Sequence, residues 1–370
     1  MSRSTVRILN IAFALAYVGD DAVGGAEQVL AHVEKGQVGA GHQSLVVAAA
    51  NSRICGTLLG TPCQPKEISP EYYRYRYFEH KRKIDAALAS GPIDLVHMHG
   101  YDFHEFIPDC NIPILVTLHL PLKWYPEWIY REPRPNVFMN CVSAAQRMAV
   151  PDCPRIIQTI CNGVSIAKLN IVPVNDRQGV AVLSRICPEK GIHLAIQAAH
   201  KAGVPLTIAG RVDGYPEHLT YFNRQVLPAL DEDCRFIGPI AYREKIELLR
   251  TAKCLLVPSL APESSSLVAM EALACGTPVI AMNSGALPEI VEHGMTGFVV
   301  NSSSEMADGI ALAKHINPEI CKEAAAERFS ADRMVREYLT LYERMVEHNE
   351  ASFSTAMGRS GCQWGTFHNF

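Results

Sequence analysis

Short apolar runs recur along the chain, separated by polar loops and longer amphipathic stretches. They lie at 7–14, 44–49, 93–98, 114–118 and 136–142, and resume at 179–184, 205–209, 234–237, 254–257, 278–281 and 297–299. Several hold apolar residues at consecutive positions, as a strand does when both of its faces are covered. Between them, 27–40, 192–202, 242–252 and 267–274 have helical spacing. Strands alternating with helices predict an α/β architecture with parallel sheets. No period of ~20–50 residues recurs, which excludes a solenoid.

The alternation breaks near 167–179, where Pro173, Asn175, Asp176 and Gly179 fall without periodicity. Such a stretch reads as a linker. The expected organisation is a Rossmann-like domain at 1–170, a second at 171–330, an amphipathic helix at 331–348 packing back across them, and an irregular tail at 349–370. Two such domains facing each other would leave a cleft at their strand C-terminal edges, where this architecture places ligands.

Composition narrows the function. The 370 residues are 48% apolar and 19% charged, which suits two ordinary cores and excludes a disordered chain. The formal net charge of −4 argues against a nucleic-acid binder. Arg3 and Arg7 followed by an apolar stretch mimic a short export signal, but the stretch ends in Gly19-Asp20-Asp21 rather than a small-x-small site, so a buried strand is expected. No run approaches the roughly 18 apolar residues of a membrane span. The twelve cysteines are scattered with no Cys-x-x-Cys pair, which points to buried reduced thiols and a cytoplasmic protein.

The segment 262–278 carries the clearest chemistry. Ser264, Ser265 and Ser266 open a helix that Gly276 closes. Free backbone N–H groups at such an N-terminus favour phosphate. Glu263 lies just before the helix, and Glu271, eight residues on, lies inside it among apolar neighbours. A carboxylate there needs donors, and sugar hydroxyls supply them. This fits a nucleotide sugar, with diphosphate at the helix N-terminus and a carboxylate on each side. A second segment, 180–191, reads strand, loop, helix, and delivers Arg185 and Lys190 to a strand end, where two cations can neutralise a diphosphate without a metal.

The pairing of S-R-x-x-x-x-K-G with E-x7-E, then C-G-T-P-V-I-A and G-A-L-P-E-I-V-E-H-G-x-T-G-F, resembles glycosyltransferase family 4. The resemblance covers about residues 6–345 and is strongest over 180–300. Gly24-Gly25-Ala26-Glu27, the D-L-V-H-M-H-G at 94–100, the T-L-H at 117–119 and the C-N-G-V at 161–164 extend it into the first half. It implies a GT-B fold and a retaining transferase that moves a sugar from a nucleotide-diphosphate sugar, UDP-linked by family frequency, to a hydroxyl acceptor. By the same resemblance Arg185 and Lys190 bind the diphosphate, Glu263 the sugar hydroxyls and Glu271 the ribose. Ser264–Leu267 line the donor, Gly25 brings backbone N–H close to the ligand, and His119 faces the donor sugar. Arg185, Lys190, Glu263 and His119 form the expected catalytic set, acting by front-face substitution in which the departing phosphate oxygen takes the acceptor proton. A sugar-nucleotide epimerase, a phosphorylase or a non-catalytic nucleotide-sugar-binding protein would share this architecture.

The chain departs from the family pattern at Ser184, Ser165, Leu120-Pro121 and Ser264–Ser266, which bears on donor and acceptor identity rather than on reaction class. Trp124, Tyr125 and Trp128, on the loop after His119, are candidates for stacking on an acceptor, with Tyr130 beside them. The run 71–83 packs five basic and five aromatic residues and suits either an anionic membrane surface, an acceptor, or an ordinary mixed helix face. Asp231-Glu232-Asp233 spells a metal-binding Asp-x-Asp, but its position reads as a solvated turn. His97 and His99 alternate at a strand end, but a transition-metal site would need more ligands. No metal and no other cofactor is expected.

Overall fold

The computed structural model describes residues 5–63, 69–150, 152–169 and 176–356. It divides into two compact units. One holds Met1–Val142, Arg147–Cys161 and the chain from Asp332 onward; the other holds Ser143–Gln146 and Asn162–Ala331. The linker expected near residue 170 falls largely on 170–175, outside the described residues.

The first unit is a seven-stranded sheet of β1 (Arg7–Ile11), β2 (Gln43–Ala49), β3 (Thr57–Thr61), β4 (Leu95–Met98), β5 (Ile114–Leu118), β6 (Val137–Cys141) and β7 (Ile156–Thr159). Its order is β3-β2-β1-β4-β5-β6-β7, and every pairing is parallel. β4 and β5 are buried at every position, their apolar runs interrupted only by His97 and Thr117. β3 and β7 went unforeseen because edge strands need only one buried side and carry short, mixed sequences.

The second unit is a six-stranded parallel sheet of β8 (Val180–Leu183), β9 (Leu206–Ala209), β10 (Cys234–Gly238), β11 (Leu255–Val257), β12 (Val279–Met282) and β13 (Gly297–Val300), in the order β10-β9-β8-β11-β12-β13. Strand order reverses beside β1 in the first unit and beside β8 in the second. Loops leaving adjacent strands in opposite directions open a crevice at such a point. In the second unit those loops follow β8 and β11, the two segments singled out by their chemistry. The first part of the apolar stretch that begins at Arg7 forms β1, as the strand reading expects.

The long helix Ala331–Ala356 runs past residue 348, where its sequence pattern ends, and packs within the first unit. It covers an unusual polar row. Asn10, His97, Thr117 and Asn140, one each from β1, β4, β5 and β6, are all fully buried. Tyr338 and Tyr342 of the helix reach into this row. The Tyr338 oxygen accepts from Asn140 Nδ2 at 3.1 Å, and the Tyr342 hydroxyl meets His97 Nδ1 at 2.6 Å and Gln37 Nε2 at 3.2 Å. A buried polar group costs far more unpaired than paired, so the helix is held by bonds the sheet cannot make alone. Tyr338→Phe is expected to lower the unfolding free energy by ~1–3 kcal/mol, the cost of leaving buried partners unpaired. Urea denaturation checks this, and an unchanged midpoint would show the row satisfied without the hydroxyl.

Candidate functional site

After β8 the chain makes a single turn at Pro188–Lys190, and Gly191 follows at φ +62° to start the helix Ile192–Ala202. A Cβ at Gly191 would lie 2.2 Å from the Pro258 carbonyl oxygen, so only glycine lets this loop meet the one leaving β11. Across that contact Lys190 Nζ is hydrogen-bonded to the Glu263 carboxylate, which also accepts from the Ser259 hydroxyl. Two residues 73 positions apart, matched in sequence only by motif, are thus brought together. Arg185 is exposed near the same loop, with Nη1 3.9 Å from Asp213. Asp213 also takes Arg211 Nε at 2.5 Å.

Glu263 is braced from behind. Gly285 sits at φ +57°, where a Cβ would lie 2.2 Å from the Glu263 carbonyl oxygen. The following Ala286 N–H donates to that oxygen at 2.8 Å, and the Ser284 hydroxyl donates to Ala261 O at 2.9 Å. Ser266 caps the helix Leu267–Ala274 and accepts from Ala269 N at 3.4 Å. Ser264 Oγ and Ser265 Oγ are buried with no hydrogen-bond partner in the protein. Two orphaned hydroxyls beside a helix N-terminus are the kind of group a bound ligand satisfies. Leu267 begins the helix and is half-buried. Glu271 is 5% exposed and bonds Lys245 Nζ at 2.5 Å. Burial pushes its carboxyl above the usual range, and the Lys245 ammonium pulls it back. That ammonium also lies 4.9 Å from the Tyr242 ring centroid.

In the first unit Gly25 is exposed and opens the helix Gly25–Gly39, whose N-terminus no side chain caps. His119 follows β5 and is half-buried, with Nε2 3.1 Å from His99 Nδ1. Burial lowers its pKa to about 3, so the ring is neutral. Trp124 and Trp128 are half-exposed, as an aromatic platform requires. Tyr125 is not part of that platform. It is 5% exposed, packs in the sheet's core and accepts from Leu120 N at 3.2 Å. Tyr130 donates to Leu122 O at 2.6 Å and so braces the loop. The run 71–83 forms part of the helix Pro70–Ala89. Its Arg76 and His80 are fully buried, and Arg76 donates to Ala14 O in the loop after β1.

A model described as Glycosyltransferase Family 4 matches residues 23–168, and one described as Glycosyl transferases group 1 matches 170–328. The chain belongs to the family 4 glycosyltransferases. Among relatives of this glycosyltransferase, D-inositol 3-phosphate glycosyltransferase of Mycolicibacterium smegmatis is 32% identical over 197 residues, 50% of this chain and 45% of that protein. The chain therefore spans less than half the length of that curated relative. Sucrose-phosphate synthase from Thermosynechococcus elongatus has a similar fold, with TM-score 0.73 and 20% identity, covering 92% of this chain and 100% of that one. Anabaena HepE in complex with UDP and glucose gives TM-score 0.70 and 20% identity, covering 91% and 99%. These likenesses confirm the GT-B fold.

Sequence reasoning about this glycosyltransferase missed Lys245, Ser259, Asp213 and the bracing role of Gly285. Lys245 lies on an ordinary amphipathic helix, Tyr242–Thr251, and nothing local ties it to Glu271. Among the described residues, Cys187, Glu189 and His218 could share a metal ion, as could His200, Asp231 and Cys234. In the second group Asp231 Oδ1 is bonded to the backbone N–H of Asp233 and Cys234, and Oδ2 lies 2.9 Å from His200 Nε2, which is how an acidic turn satisfies itself. No helix among the described residues is long and apolar enough to cross a membrane.

Lys245→Met should destabilise the protein by roughly 3 kcal/mol, because it leaves a buried carboxylate unpaired. The folded state would then hold the Glu271 proton to higher pH than the unfolded chain does. It would bind more protons, so the variant's stability should fall as pH rises from about 5 to 8. Urea denaturation across that range measures both effects, and a flat profile at the parent's stability would contradict them.

Proposed function

We propose that this chain is a retaining transferase that moves a sugar from a UDP-linked donor to a hydroxyl acceptor. The observation that carries the reading is the group formed by the two loops at the second unit's strand-order reversal. Lys190 and Glu263 are paired there, Arg185 is exposed on the same loop as Lys190, and the orphaned Ser264 and Ser265 hydroxyls adjoin a helix N-terminus. These groups match the parts of one ligand: cations and N–H groups for a diphosphate, a carboxylate for sugar hydroxyls, and Glu271 for a ribose. The solved complexes of HepE with UDP and with UDP-glucose support the choice of nucleotide.

In this scheme the diphosphate draws Lys190 from Glu263, freeing the carboxylate to accept from sugar hydroxyls. As the glycosidic bond breaks, negative charge grows on the departing phosphate oxygen. Arg185, Lys190 and the N-terminus of Leu267–Ala274 stabilise it, and that oxygen takes the acceptor's proton. Side-chain cations do the work a divalent ion does elsewhere, so no metal is invoked for the transfer. The run 71–83 adds little to a lipid-contact reading. Tyr75 and Phe78 are exposed, but Arg76 and His80 are buried, and Arg74 and Arg82 are paired with Glu71 and Glu79.

Thermal shift against UDP, GDP, ADP and TDP should single out UDP, since a ligand that binds only the folded state raises its melting temperature. No shift with any of the four would sink the reading. Arg185→Ala and Glu263→Ala should each remove nearly all sugar transfer while far-UV circular dichroism stays unchanged. Full activity in both would refute the site. Activity should also survive EDTA, and its loss with recovery on adding a divalent ion would refute the metal-free scheme.

A further inference from the structure

The three histidines of the first unit form a chain whose protons are fixed by hydrogen-bond logic. It starts at Asn140. Its Nδ2 donates to Cys141 O at 3.3 Å and to the Tyr338 oxygen at 3.1 Å, which settles the two ends of the amide. The Thr117 hydroxyl donates its single hydrogen to Asn140 Oδ1 at 2.7 Å. Toward His97 Nε2, 2.8 Å away, Thr117 can therefore only accept, so that nitrogen carries the proton. Burial holds His97 and His99 well below the ordinary histidine pKa, and both rings are neutral. His97 Nδ1 is then a lone pair. It accepts from the Tyr342 hydroxyl at 2.6 Å, whose oxygen in turn accepts from Gln37 Nε2. It is also hydrogen-bonded to His99 Nε2 at 3.1 Å, and because Nδ1 carries no hydrogen, His99 Nε2 is the donor, sharing that lone pair with the Tyr342 hydroxyl. His99 Nδ1 becomes the acceptor for His119 Nε2, again at 3.1 Å. One nitrogen is left on the His119 ring, Nδ1, with its lone pair available.

We infer that Tyr342, His97 and His99 are positioning residues that lock His119 as the Nε2–H tautomer, so that its Nδ1 accepts a hydrogen bond from a sugar hydroxyl. The sugar contact rests on the function proposed above; the lock does not. The substrate consequence is specific. The position facing His119 must carry an O–H, because an acceptor-only group such as a carboxylate or an ether oxygen would meet a lone pair with a lone pair.

The test reads the tautomer directly. The full chain is labelled with 15N-histidine, and the His119 signals are assigned by their loss in His119→Gln. Long-range 1H–15N spectra should show the Nε2–H pattern from pH 6 to 8. His99→Asn places an amide oxygen near the former Nδ1 and should keep that pattern. His99→Phe offers no acceptor and should give a mixture of tautomers. Transfer assays with UDP-glucose run beside the spectra. His99→Phe should lower kcat by roughly tenfold or more, the direction expected when a histidine sits in the wrong tautomer. KM for the nucleotide sugar should change little, and His99→Asn should recover most of the rate. An Nδ1–H pattern in the parent protein, or an unchanged pattern in His99→Phe, overturns the lock. The expected spectra with an undiminished kcat in His99→Phe overturn the sugar contact instead.

Discussion

The ion pair between Lys190 and Glu263 joins the loops that leave β8 and β11, and the candidate donor site depends on it. A carboxylate at a strand end, largely out of water, needs a cation, and a lysine so placed needs a carboxylate. Each satisfies the other while no ligand is present. Spacing is set beside it, because Gly191 lets one loop backbone meet Pro258 and Gly285 lets another meet Glu263 at distances no side chain would allow. The glycines and the charges form one device. The first sets how closely the loops approach, and the second gives the approach a chemical purpose.

Glu271 is managed differently. Burial alone would favour its neutral form, yet Lys245 holds it in reach of the charged one. A neutral carboxyl donates one hydrogen bond, whereas a carboxylate accepts from two vicinal hydroxyls. The lysine therefore governs which hydrogen-bonding form the acid presents.

Much of this was legible in the chain. Strands buried on both faces announce themselves as largely apolar runs, so β4, β5, β8 and β12 stood out. The cap at Ser266 and the helix end before Gly276 followed from local residue chemistry. The E-x7-E spacing and the Arg185–Lys190 segment pointed to the two loops that the structure brings together through Lys190 and Glu263. What stayed hidden depends on distance along the chain. β3 and β7 sit at sheet edges with little apolar demand. Lys245 meets Glu271 across 26 positions, and Tyr125 turns into the core although its neighbours Trp124 and Trp128 stay half-exposed. The buried polar row was the least visible of all. Asn10, His97, Thr117 and Asn140 each look like a blemish in an apolar strand until the sheet aligns them.

That row also sets a timetable. Its partners Tyr338 and Tyr342 lie 198 and 245 positions beyond Asn140 and His97. A ribosome adding about 5–20 residues per second would finish the first sheet's strands well before the helix that covers them. In that interval the nascent sheet carries a stripe of amide, imidazole and hydroxyl groups that still lack their helix partners, rather than a bare apolar face. Water can solvate such a stripe, and it offers little grip to the hydrophobic contacts that drive aggregation. The polar row thus gives a sheet that must wait for its cover a surface that tolerates waiting.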